Sequence, residues 1–204
     1  MKMARLDPEY RSFFEETNRL LALLASSSTM AALHRKVIAE IVHLRLAILL
    51  ENQMKTIFSK LVCGAPYLDG TLPRLLVPPS KSASAAVHAM QTLNRPKQIQ
   101  LSWNDGPRIR DGVKYLMDPN DHSISVVKNF ASHLTDMRYI RNHIAHKNEG
   151  TRVNFRKLVR RYYGAYVPGI TSGTILLSER VSKPCLLEVH VRVCRTMIKD
   201  ITKA

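Results

Sequence analysis

Cysteine is scarce in this chain. Cys63, Cys185 and Cys194 make an odd count with no CxxC spacing, which excludes a disulfide scaffold and a cysteine-built zinc site. Three reduced thiols in or near a core are expected, and a reducing intracellular compartment fits them. Aromatic residues are few, at 6% with Trp103 the single tryptophan, and β-branched runs are short. Both shortages point away from a sheet-built fold. Long apolar runs are missing too: none reaches the ~18 residues a membrane span needs. The opening "MKMARLDPEYRSFFEE" turns acidic before the apolar core of a signal peptide can form. A soluble cytoplasmic protein with no membrane contact is expected. Acidic residues number only 16 against 31 Lys and Arg, for a formal charge of +15 and a pI near 10.1. Solubility needs no such excess in a small domain. It suits an anionic partner, above all nucleic acid. A generally basic proteome or an acidic protein partner is the alternative.

The 204 residues are 45% hydrophobic, enough for one sizeable core. Leu, Ala, Lys and Arg dominate the periodic segments, so an all-α fold in a single domain over 1–204 is expected. A first helix is predicted from Asp7-Pro8 to about Ala25, with Asp7 as its N-cap and Pro8 in its first turn. "SSST" at 26–29 breaks it and offers caps to the next. The second helix, about 30–63, carries Leu33, Val37, Ile41, Leu44 and Ile48 at three- and four-residue steps, and Leu50, Met54, Ile57 and Leu61 on an adjoining stripe. It is apolar nearly all round at 44–50, which marks a central helix with several neighbours. Prolines and glycines make 64–81 a loop, followed by a short helix at 82–94 and an irregular stretch at 95–107. The middle third thus resembles a loop-rich insertion at about 64–107. Val126, Phe130, Leu134, Met137, Ile140 and Ile144 predict one helix from near 123. Phe155, Leu158, Val159 and Tyr162 predict another after "NEGT". Residues 164–180 are expected as a loop with a short extended piece at "TILL", and a last helix starts near Ser182-Lys183-Pro184.

The unusual stretch is "MRYIRNHIAHKN" at 137–148, where two Arg, two His, a Lys and two Asn sit among apolar residues. His is the side chain that gives and takes protons near neutrality. Arg carries a permanent charge in a fork that fits phosphate oxygens. Together they supply what metal-independent phosphodiester cleavage requires, and RNA brings its own nucleophile, the 2′-hydroxyl. Arg141 and His146 are five residues apart, so on an ideal helix they lie ~140° apart. Either the last turn unwinds, for which Asn148 and Gly150 are suitable, or the two side chains meet a partner chain from neighbouring faces. A symmetric dimer would bring two motifs together and supply both a base and an acid. The bland alternative is a helix end where Arg141 pairs with a carboxylate and His146 caps carbonyls. Glu51, inside the most apolar part of the second helix, either orients Arg141 or faces solvent at the helix edge. His143 is a second acid/base or a surface contact. Arg152, Arg156 and Arg160 lie four apart beside Lys157 and Arg161. Residues 138–161 hold eight Lys or Arg against one acid, Glu149. With Arg138 and Lys147 these make a candidate RNA-backbone track, salt-sensitive and largely blind to sequence. Trp103, Tyr162, Tyr163 and Tyr166 are candidates for base stacking or for core packing.

"IRNHIAH" closing a long amphipathic helix resembles the signature of the HEPN superfamily. "LRLAILLENQMKTIFSKL" at 44–61 and "SGTILLS" before a final helix are similar to small stand-alone HEPN proteins of the RiboL-PSP type. The resemblance covers the helical core and leaves 64–107 unmatched. It implies an antiparallel helical bundle that dimerises with its motifs facing across a cleft. It further implies a metal-independent endoribonuclease with no cofactor, often a toxin or effector of a prokaryotic defence or toxin–antitoxin system, with an antitoxin or other regulatory protein as a further partner. By position Arg141 and His146 become the catalytic pair and Asn142 a supporting polar residue. One version of the family pattern has a Tyr two residues after the His, where this chain has Asn148. Some members of the superfamily are non-catalytic and bind nucleic acid or a protein partner.

Overall fold

The computed structural model describes residues 5–93, 100–179 and 184–204. Among them the fold is all-α, with no β-strand and a single isolated antiparallel bridge between Leu75 and Met117. The helices are α1 (Asp7–Ser26), α2 (Ala32–Val62), α3 (Ala83–Thr92), α4 (Gly106–Val113), α5 (His122–Asn129), α6 (Ala131–His146), α7 (Glu149–Tyr163), α8 (Ser172–Leu176) and α9 (Leu186–Thr202). A 3₁₀ turn at Ser27–Thr29 joins the first two.

Helix α1 begins at Asp7, with Leu6 rather than Asp7 at the N-cap and no side-chain cap. Asp7 and Glu9 in its first turn place negative charge at the positive end of the helix dipole. The serines at 26–29 do not cap α2 either, whose N-cap is Ala31. Helix α2 runs through the middle and packs on α1, α3, α6, α8 and α9. It buries Val42, Leu46, Leu50, Met54, Ile57, Phe58 and Leu61. Of the stripe Leu33, Val37, Ile41, Leu44 and Ile48, Leu44 is half-buried and the other four are on the outside instead, with Leu33 70% and Ile41 53% exposed. A helix apolar nearly all round has two eligible faces, and the neighbours took the one two to three residues on.

The single helix expected from near 123 is two. Asp121 caps α5 through Ser123 N at 3.0 Å, and the chain breaks at Phe130 before α6. Helix α4, beginning at Gly106-Pro107, falls partly within the stretch expected to be irregular; of that stretch, 95–99 lie outside the described residues. "TILL" is helical, within and just after α8, because Thr171 caps it through Thr174 N at 3.2 Å. Gly173 permits this packing. A Cβ there would stand 2.6 Å from the Lys36 carbonyl oxygen of α2. Instead Gly173 N donates to Glu40 Oε1 at 2.9 Å. The expected start of the last helix at 182–183 also lies outside the described residues.

The 64–81 loop is tied down. Leu76 N donates to Leu116 O at 3.0 Å and Asp118 N to Arg74 O at 2.8 Å. The buried Asp121 carboxylate accepts from Tyr67 Oη at 2.5 Å and from Arg74 N at 2.8 Å. It also accepts from the Ser123 hydroxyl at 2.5 Å. Trp103 is buried and stacked on Phe58 at 5.9 Å, which makes it a core residue rather than a base-stacking platform. No described helix is long and apolar enough to cross a membrane.

Candidate functional site at the end of α6

Helix α6 is held on α2 from within. The buried His43 of α2 donates from Nε2 to the Met137 carbonyl of α6 at 3.2 Å. Its ring lies 5.4 Å from that of His190 of α9. Burial holds His43 down to a pKa of about 4, partly offset by the Met137 bond. Burial, reinforced by His43 and His133, puts His190 well below the ordinary value as well. Both rings are therefore neutral at pH 7.

Past this anchor α6 stays regular through His146, and Lys147 ends it in the left-handed conformation at φ 40°. Asn148 does not unwind α6. It caps α7, accepting from Thr151 N at 2.9 Å, and Gly150 lies inside α7. The last turn therefore keeps Arg141 and His146 on different faces. Arg141 is half-buried, and its Nη1 donates to Asn142 Oδ1 at 3.1 Å. Glu51 is half-buried rather than free at the helix edge. Burial raises its pKa, and Arg141 and a hydrogen bond from Asn104 Nδ2 counter that. Glu51 is thus within electrostatic reach of Arg141, without an ion pair between them. Asn104, in the unmatched middle third, gave no signal of this role in the sequence. His146 is exposed, with no hydrogen bond or ion pair among the described residues. The chain links Arg141 with Asn142 and Glu51 with Asn104, and His146, one turn after Asn142, is bonded to none of them.

The expected basic track divides. Arg138 is bound to Asp105 at 3.3 Å, and Arg161, its side chain still more than half exposed, to Asp136; both pairs tie α6 to a neighbouring element. Arg152 and Arg156 share Glu149, at 3.6 and 3.9 Å, with all three side chains more than half exposed. Among the described residues Lys147, Lys157 and Arg160 have no ion pair. Tyr162 donates to the Ser178 carbonyl at 3.2 Å, and the Tyr163 hydroxyl bonds Ser178 Oγ. Tyr166 alone of the three tyrosines projects freely, at 53% exposure. His143 stacks on Phe155 with ring centroids 4.3 Å apart and planes at 11°. Burial first, then Lys147 and Arg152, lower its pKa, against a smaller upward pull from Glu40. Among the described residues no three His, Cys, Asp or Glu side chains converge as a metal site would.

Glu40 lies within electrostatic reach of His143 and Glu51 within reach of Arg141. The stretch of α2 between them carries Ile41, Leu44 and Ile48 and runs beside the motif end of α6. Ile41 and Ile48 of the uncovered stripe thus lie on the stretch of α2 bracketed by these two carboxylates. Against protein family models, curated proteins and solved structures, the chain has no match.

Proposed function

We propose that this protein is a HEPN-type endoribonuclease that cleaves RNA without a metal ion, through attack of the 2′-hydroxyl on the adjacent phosphorus. The observation that carries the proposal is the end of α6. There a guanidinium, Arg141, is steadied by Asn142 beside Glu51, one face round from an unengaged imidazole, His146. Arg141 stabilises the charge that develops on the phosphorane-like transition state. His146 moves protons. One motif has one shuttling histidine, and the reaction needs a base for the 2′-hydroxyl and an acid for the leaving 5′-oxygen. A second copy of the chain supplies the other. The exposed stripe Leu33, Val37, Ile41 and Ile48 on α2, the helix that packs on α6, supports the homodimer. The basic face of α7 supports RNA as the substrate. A role as a cytoplasmic toxin or defence effector restrained by an antitoxin or other regulatory protein follows from the HEPN resemblance.

Incubation with RNA and with DNA in EDTA tests this. The expected result is cleavage of RNA alone, leaving a 2′,3′-cyclic phosphate or 3′-phosphate, abolished by Arg141→Ala and by His146→Ala with helicity retained. Binding with no cleavage under any condition would sink the proposal. It would favour a second reading, a non-catalytic HEPN module that binds nucleic acid or a protein partner. The separation of His146 from Arg141 within one chain is what favours that alternative.

A further inference from the structure

The proposed cleavage chemistry leaves one feature of the α6–α7 end unused. The loop after α7 folds back over the helix pair. It closes a cleft of about 230 Å³ lined by His143, Arg152, Phe155, Arg156, Tyr166 and Ile170. A more open hollow of about 420 Å³ adjoins it, where Arg156 and Tyr166 recur with Lys157 and Arg160. Two residues line both, so they form one trough along α7. One wall is flat, the half-buried His143 imidazole backed by the buried Phe155 ring on which it stacks. Nδ1 of that imidazole is buried with no partner. The rim is cationic, and Tyr166 stands over the junction of the two hollows.

The two arginines at the rim already hold an anion. One Glu149 carboxylate lies between Arg152 Nη1 and Arg156 Nη1, at 3.6 and 3.9 Å. Such long, exposed pairs contribute little. A phosphate fits two guanidinium forks better and carries more charge. An acidic peptide would satisfy the arginines but leave the flat wall and Tyr166 unused. A nucleobase joined to a phosphate uses all three, since every base offers a π face to an aromatic platform.

We infer that this trough binds a nucleotide, with Arg152 and Arg156 exchanging Glu149 for its phosphate and with Tyr166 and the His143–Phe155 wall receiving its base. The inference rests on the proposed function only in taking single-stranded RNA as the expected source. A free mononucleotide presents the same chemistry.

The test is fluorescence anisotropy with a labelled single-stranded 2′-O-methyl RNA, which 2′-hydroxyl attack cannot cleave, so that the wild-type protein is usable. Tyr166→Ala is expected to weaken binding about tenfold with its salt dependence unchanged. Arg156→Gln is expected to weaken it similarly but with a shallower salt dependence. Glu149→Gln should tighten it about threefold, by freeing the two guanidinium groups. Arg11→Gln, the same loss of charge on the exposed face of α1, should change little. Competition by a nucleoside monophosphate, with none by inorganic phosphate, supports the site and adds free nucleotides as ligands. Competition by neither supports it as a site for the polymer. Tyr166→Ala binding like wild type overturns the inference whatever the arginine variants do, because charge alone would then explain the affinity. Absence of RNA cleavage would defeat the catalytic proposal and leave this result standing, since the probe is uncleavable.

Discussion

Asp121 shows how much one side chain can hold. Its buried carboxylate receives the Tyr67 hydroxyl, Arg74 N, Ser123 N and the Ser123 hydroxyl, so it joins the 64–81 loop to the start of α5. Asp121→Ala leaves those donors unpaired and should cost about 3 kcal/mol, read as a lowered denaturation midpoint in urea. Loss of less than about 1 kcal/mol would contradict this account of the residue. Nothing in the sequence marked the role, because two of its donors are 47 and 54 residues away. The buried histidines make a second prediction. The folded pKa of His43 is about 4 against an ordinary 6.5, so as pH falls the unfolded chain takes up the proton first. Stability is unaffected by His43 above about pH 6.5 and declines from there toward pH 4, by up to about 3 kcal/mol in all. His190 acts in the same direction. Thermal melts between pH 7.5 and 5.5, a range largely above carboxylate titration, should show the decline. In His43→Gln it should be shallower.

Helices α2 and α8 carry the argument at the scale of elements. Gly173 lets α8 lie directly on the α2 backbone, and its amide fixes Glu40, which faces the His143 end of α6. Gly173→Ala meets the Lys36 carbonyl and should destabilise the protein by about 2–3 kcal/mol. Differential scanning calorimetry checks it, and a melting temperature within a degree of wild type would refute the close approach. The elements themselves were largely legible from periodicity, although neither cap read from the sequence, Asp7 for α1 or the serines at 26–29 for α2, is a cap in the structure. Leu50, Met54, Ile57 and Leu61 are buried as their spacing predicts. What periodicity could not do was choose between the two apolar faces of α2, a choice made by the helices that pack on it. The break at Phe130 was hidden because Val126 to Ile144 keep helical spacing across it. "TILL" looked extended because local β-propensity outweighed the Thr171 cap. Of the motif, Arg141 and Asn142 stood out by residue type, while Glu51 was left between orienting Arg141 and facing solvent until the fold half-buried it. The division of the basic residues was not, because Asp105 and Asp136 are brought to Arg138 and Arg161 only by the fold.

At the scale of the whole molecule, charge and apolar surface act in opposite directions. Two copies carrying +15 each repel, so in the proposed dimer the uncovered α2 stripe has to supply the attraction. Added salt screens the repulsion. We therefore expect self-association to strengthen with salt while RNA binding weakens. Ile41→Glu, at an exposed position, should leave helicity intact and give a monomer by light scattering. A dimer undisturbed by Ile41→Glu would put the interface elsewhere. The most direct test of the central claim, a site completed by two copies, is a mixing titration. Wild type and His146→Ala are co-refolded at fixed total concentration and RNA cleavage is measured in EDTA. If base and acid come from different copies, only dimers with two wild-type chains cleave, and an equal mixture retains about a quarter of the activity. Retention of half, as independent single-chain sites would give, contradicts the account.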